Sequence, residues 1–197
     1  MNQLMDRREA IRKTAMLMGA AVSASALTGI LQGCKAAPEL VYVPDFFTED
    51  QARIVTEVAE IIMPKTDTPG AKDVGVPGFI DKILKDCYKK EDQDRFIAGL
   101  TAFDEEAKKN YGDSFIYCEP AQQAEHVAKV HAAALSQPKE QRDANKPFIL
   151  MAKELTLLGF FTSEPGATQV LQYEAVPGSY KGCIPVSEAG NGKTWAT

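Results

Sequence analysis

The sequence predicts an all-α protein: one compact helical domain of about five to six helices, followed by a long irregular C-terminal tail. Three observations carry that reading. Apolar residues recur at three- and four-residue spacing in segment after segment, as a helix with one buried face requires. The alternation of strands with helices that marks a nucleotide-binding α/β fold is missing. Proline and glycine fall between the periodic segments and again, densely, after Tyr173, where they rule out further long helices.

The first segment is read apart from the fold. Asp6-Arg7-Arg8-Glu9, with Arg12 and Lys13, precedes an uncharged, mildly apolar run from Thr14 to Leu31, then Leu31-Gln32-Gly33-Cys34. A basic start, an apolar middle and a small residue before a cleavage point are the parts of an export signal, here residues 1–33. The adjacent Arg7 and Arg8 point to the twin-arginine route. Leu31 to Cys34 resembles a bacterial lipobox, which makes Cys34 the lipidated first residue of the mature chain. The run is diluted by Gly19, Ser23, Ser25, Thr28 and Gly29, which suits a removable signal better than a permanent membrane span. The expected location is the periplasmic side of a bacterial envelope, with the lipid on Cys34 as membrane anchor and the twin-arginine translocase as a transient partner.

The remainder is long enough for one domain with a substantial core. The whole chain carries a formal charge of −5, and the export segment is net positive, so the body is more acidic still. With no run of lysine or arginine in the body, nucleic acid is excluded as a partner class.

Residues 34–47 read as the lipidated cysteine and a tether, with Val41, Tyr42, Phe46 and Phe47 available to dock on the body; residues 48–197 form the domain. Thr48-Glu49-Asp50-Gln51 fits a capping box. Ala52, Val55, Val58, Ala59 and Ile62 then give one buried face until Pro64 stops the helix. Pro64 to Pro77 is irregular but rich in turn-fixing residues, among them Asp67, Thr68, Pro69-Gly70 and Gly75, and is expected to be a structured contact loop. A short helix is predicted over 78–88, and a longer one over 91–111 with Gly112 as its C-cap. Pro120 opens a helix reaching about Leu135. Ser136 to Lys146 reads as a loop. Phe148 to Phe161 is the most apolar stretch, expected to be buried almost all round, and is the predicted central helix, after which Ser163-Glu164-Pro165 caps a short helix carrying Ala167, Val170 and Leu171.

Candidate chemistry is sparse. There is no GxGxxG, GxxxxGK[ST], HExxH or GxSxG in the sequence, so the signatures of dinucleotide, phosphate, zinc-protease and serine-hydrolase sites are absent. His126 and His131 are five residues apart, about 140° around a helix axis, and do not make a metal-binding pair. No cysteine pair is spaced as CxxC. With Cys34 lipidated, Cys87, Cys118 and Cys183 remain. A disulfide between Cys87 and Cys183 is the expected pairing, since both lie beside turn-rich segments. Catalytic residues and a metal site are expected to be none, and the chain is read as not catalytic alone. The twin-arginine route carries folded proteins, yet no cofactor motif is present. The chain is then expected to supply the export address for a larger cofactor-bearing partner. A self-sufficient envelope lipoprotein that binds a small ligand or caps another complex is the alternative.

Two runs, IIMPKTDTPGAKDVGVPGFID (61–81) and KELTLLGFFTSEPGATQVLQYEAVPGSYKGCIP (153–185), resemble subunit 3 of the gluconate 2-dehydrogenase family. Asp86-Cys87-Tyr88 and the closing Gly192-Lys193-Thr194-Trp195-Ala196 are similar to the same family. The resemblance implies no catalytic residues and no cofactor in this chain. It implies a catalytic partner of the glucose-methanol-choline type holding FAD, often with a cytochrome c as electron acceptor, and a role in that partner's export and assembly. By position it nominates Thr66, Asp67, Thr68, Pro69 and Gly70, with Tyr180, Gly182, Cys183 and Pro185, as partner-facing or as pins for partner-facing loops.

Overall fold

A computed structural model describes residues 37–176, 178–179, 182–188 and 192–196. Arg7, Arg8, Cys34 and Tyr180 lie outside the described residues. Six α-helices are present among the latter: α1 (Glu49–Ile62), α2 (Val76–Cys87), α3 (Lys90–Tyr111), α4 (Pro120–Ser136), α5 (Lys139–Ala144) and α6 (Phe148–Phe161), with short 3-10 turns at Phe115–Tyr117 and Val186–Glu188 and a π-type turn at Gly166–Val170. No strand occurs among the described residues, where the single β-bridge joins Gln172 to Trp195. The fold is all-α, as the periodicity predicts.

The boundaries follow local chemistry. The Thr48 hydroxyl accepts from the Gln51 amide while the Gln51 side chain accepts from the Thr48 amide, closing the expected capping box at α1. Helix α2 starts two residues earlier than predicted, at Val76, because Pro77 fits the first turn, where no amide is needed. Gly112 caps α3 with a left-handed backbone. The expected loop over 136–146 instead contains α5, whose first turn hangs on the Pro138 carbonyl, accepting from the Gln141 and Arg142 amides at 3.1 Å each. None of its residues is buried, so it has no apolar stripe by which periodicity finds helices.

Helix α6 is the axis, packing against α1, α2, α3 and α4. Phe148, Ile149, Met151, Ala152, Leu155, Thr156, Gly159 and Phe160 are buried along it. The expected burial almost all round is interrupted by one exposed line at Glu154 and Leu158. A Cβ on Gly159 would lie 2.6 Å from the Phe79 ring of α2, so the bare backbone there sets how closely α2 and α6 approach. A file of aromatic rings crosses the core, Phe47 to Phe96 at 5.8 Å, Phe96 to Phe148 at 4.9 Å, Phe148 to Phe103 at 5.5 Å and Phe103 to Phe115 at 4.8 Å, distances at which tilted and edge-on rings attract.

Burial alternates along the approach segment, with Leu40, Tyr42 and Phe46 partly covered and Val41, Val43 and Asp45 exposed. Tyr42 and Phe46 are partly buried and Phe47 is buried, whereas Val41 and its neighbour Val43 are 84% and 89% exposed. Of the four residues available to dock, Val41 does not. Asp81 of α2 fastens the segment. Its carboxylate, 2% exposed, accepts from the backbone amides of Asp45 (2.7 Å), Phe46 (3.2 Å) and Phe47 (2.9 Å). Three consecutive amides satisfy a charge that would otherwise be costly to bury. Burial, and then the Asp81 charge, push the Tyr42 phenol well above its usual range.

Candidate partner-facing surface

The long loop between α1 and α2 is built by the last turns of α1. Glu60 reaches over the loop mouth, one carboxylate oxygen accepting from the Lys65 amide at 3.1 Å and the other from the Lys72 amide at 2.9 Å. The Ala71 amide donates to the Met63 carbonyl at 2.9 Å. Lys72 Nζ lies 2.7 and 2.8 Å from the two oxygens of Glu57. Inside the loop the Thr66 amide donates to the Thr68 carbonyl at 3.0 Å, and Asp73 accepts from the Gly70 amide at 3.2 Å while pairing with Lys65 at 3.1 Å. That pair and the Gly70 amide hold the Asp73 carboxyl below its usual range. Gly70 is buried, and a Cβ there would stand 2.3 Å from Glu60 Oε1 and 2.7 Å from the Lys65 amide nitrogen. Only glycine leaves room for the Glu60 carboxylate to close the loop.

The outcome is one fixed shape with its polar tips outward. Thr66 and Asp67 are exposed, Thr68 and Pro69 half-exposed. The Asp67 carboxylate makes no hydrogen bond or ion pair among the described residues; the turn that sequence reasoning gave partly to Asp67 is made by Thr66 and Thr68 alone.

The loop does not stand by itself. It forms one side of an open groove of about 450 Å³ whose far side is Pro165, just before the π-type turn, and Gln169 within it. Where a short helix is expected the chain makes this π-type turn instead, and Ser163 caps it, its hydroxyl accepting from the Gly166 amide at 3.1 Å. The end of the chain returns to the same place: Lys193 donates to the Gln169 carbonyl, and Gln172 pairs with Thr194 and Ala196 through backbone bonds of 2.8 Å each. The structure thus brings Thr66 to Pro69 beside residues 165–169, to which the chain end is tied. Gly182, Cys183 and Pro185 are exposed on the tail but do not line the groove. Tyr173, Val176, Val186 and Trp195 are exposed apolar side chains of the tail.

The expected Cys87–Cys183 disulfide is not formed. Both are exposed free thiols. Cys87 is the last residue of α2 and Cys183 lies in the irregular tail; exposure at a helix end and in a tail does not by itself bring two cysteines together. Disulfide partners need Cα atoms within about 7 Å. Cys118 is buried, its sulfur 3.6 Å from the Ser114 carbonyl and 3.7 Å from that of Asp113.

His126 is wholly buried, donating from Nε2 to the Phe103 carbonyl at 2.9 Å inside a ring of Phe103, Tyr111 and Phe115. His131 lies on a different face of α4. Among the described residues no group of three or more His, Cys, Asp or Glu is placed to hold a metal, and no helix is long and apolar enough to cross a membrane.

Two buried carboxylates escaped sequence reasoning. Asp81 has been described; Asp104 of α3, 9% exposed, pins the turn after α3. It accepts from the Ser114 hydroxyl at 2.6 Å and the Phe115 amide at 2.8 Å, and pairs with Lys108 at 2.6 Å. Burial works against the charge, but the bonds from Lys108, Ser114 and Phe115 prevail and hold the Asp104 carboxyl below its usual range. In sequence both look like ordinary surface aspartates.

The fold and this surface define an all-α body that presents an ordered loop face. Residues 49–178 match the family Gluconate 2-dehydrogenase subunit 3, and the chain belongs to that family. It is a dehydrogenase-complex subunit. No curated protein and no solved structure matches the chain.

Proposed function

We propose that this chain is the non-catalytic small subunit and export escort of a periplasmic FAD-dependent dehydrogenase of the glucose-methanol-choline type, acting on a sugar, sugar acid or polyol. The flavin resides in the partner, and a cytochrome c takes its electrons. Arg7 and Arg8 direct the assembled pair to the twin-arginine translocase, and lipid on Cys34 holds it at the membrane.

The observation that carries this reading is the loop held by Glu60 and Gly70. A loop tied by Glu60 to the Lys65 and Lys72 amides and closed over a buried Gly70, with an exposed Asp67 at its tip that makes no ion pair among the described residues, is pre-organised for contact and loses little freedom on binding. The exposed Tyr173, Val176, Val186 and Trp195 supply apolar area of the kind that interfaces cover. Thr66 to Pro69 form one contact element, for which the buried Gly70 is the pin, and Tyr180, Gly182, Cys183 and Pro185 belong to the tail that reaches the same partner.

Co-expression with the candidate flavoprotein tests it. The small chain purified alone is colourless; the flavoprotein brings it down in a yellow complex; Asp67→Arg weakens that complex by about tenfold while leaving the free subunit folded. A flavin that co-purifies with the small chain alone, or a flavoprotein that never associates with it, contradicts the proposal.

A further inference from the structure

A second concave site lies on the body, between α1, α4 and α6. Its floor is Val127 and Ile149, both buried, and its walls are Ile61 and Ile62 at the end of α1. The volume is about 260 Å³, room for a ligand smaller than a drug-sized one. Two polar groups meet at one side of it: Lys153 Nζ stands 3.3 Å from His131 Nε2. Burial, then the neighbouring ammonium, lowers the His131 pKa, so the imidazole is neutral at pH 7 and acts as an acceptor.

The half-buried Lys153 therefore faces a neutral nitrogen and makes no ion pair among the described residues. In a chain with net charge −5, a cation over an apolar floor with no carboxylate opposite is an electrostatic vacancy for an anion. The walls specify the rest of that anion. Hydroxyl groups laid on Val127, Ile149, Ile61 and Ile62 would lose water without gaining a partner, whereas a hydrocarbon chain is favoured there.

We propose that this cleft binds a small apolar monocarboxylate, its carboxylate received by the Lys153 ammonium that His131 positions and its hydrocarbon body resting on Ile61, Ile62, Val127 and Ile149. The site is independent of the loop face and of the partner proposed above. Its ligand class excludes polyhydroxylated acids such as gluconate, so it is not a substrate site for the complex.

Calorimetric titration of the full-length protein with hexanoate tests the inference, with two controls: gluconate, which keeps the carboxylate, and 1-hexanol, which keeps the tail. Hexanoate binds, and each control binds about tenfold or more weakly, as expected when either the charged hydrogen bond or the apolar contact is removed. Lys153→Met and Lys153→Gln each weaken hexanoate by about tenfold while melting like the wild type, and Ala128→Leu, at the exposed rim, blocks it without touching the charge. No hexanoate binding at millimolar concentration overturns the inference. So does unchanged affinity in both folded Lys153 variants, or gluconate binding as tightly as hexanoate.

Discussion

At the scale of single residues, two aspartates decide how the chain is fastened. Asp81 accepts three successive amides of the approach segment from a site with almost no solvent contact. Asp81→Ala leaves those donors unpaired, so urea denaturation is expected to show a loss of about 3 kcal/mol, with early proteolysis between residues 38 and 47. Asp104 sets an acid limit. Its folded-state pKa is depressed, so its contribution is complete above the unfolded value of about 3.9 and is lost as pH falls through the lower folded value. Melting temperature measured from pH 7 down to pH 2 should fall less steeply in Asp104→Asn, which starts lower at pH 7. Neither role is legible in sequence, because what separates a clamping aspartate from a solvated one is which distant amides face it. Asp45 to Phe47 are more than thirty residues from Asp81. Thr48 and Gln51 were legible for the opposite reason: donor and acceptor sit three residues apart, and local geometry alone joins them.

At the scale of elements, the order and placement of five of the six helices follow from apolar spacing, capping residues and the positions of Pro64, Gly112 and Pro120. The sixth, α5, has no buried face and so leaves no periodic trace. The loop between α1 and α2 was recognisable as structured from its turn residues, yet the group that closes it, Glu60, lies in the helix before it and reads as an exposed carboxylate. Glu60→Ala removes the acceptor for the Lys65 and Lys72 amides. Trypsin is then expected to cut after Lys65 several-fold faster, with far-ultraviolet circular dichroism unchanged; equal cleavage rates would show that the loop is held without Glu60. The tail was legible as irregular, but not its return, since the bridge from Gln172 to Trp195 joins residues with no pattern between them. The Cys87–Cys183 pairing failed for the same reason: turn-rich neighbourhoods show that two cysteines are accessible, not that they meet.

At the scale of the whole molecule, every helix that packs on α6 buries apolar surface, and what faces outward is an ordered loop, an apolar tail and a small cationic cleft. Such a body gains its role from what it holds. Family membership places it in a dehydrogenase complex, and the export signal read in residues 1–33 gives it, on the proposal above, the part of carrier. That claim is tested most directly by following where the flavoprotein goes. In cells expressing both chains, replacing Arg7 and Arg8 by lysine is expected to leave the small chain and the flavoprotein together in the cytoplasm, with dehydrogenase activity lost from the periplasmic fraction. Flavoprotein that still reaches the periplasm, active, beside a stranded small chain would contradict the account.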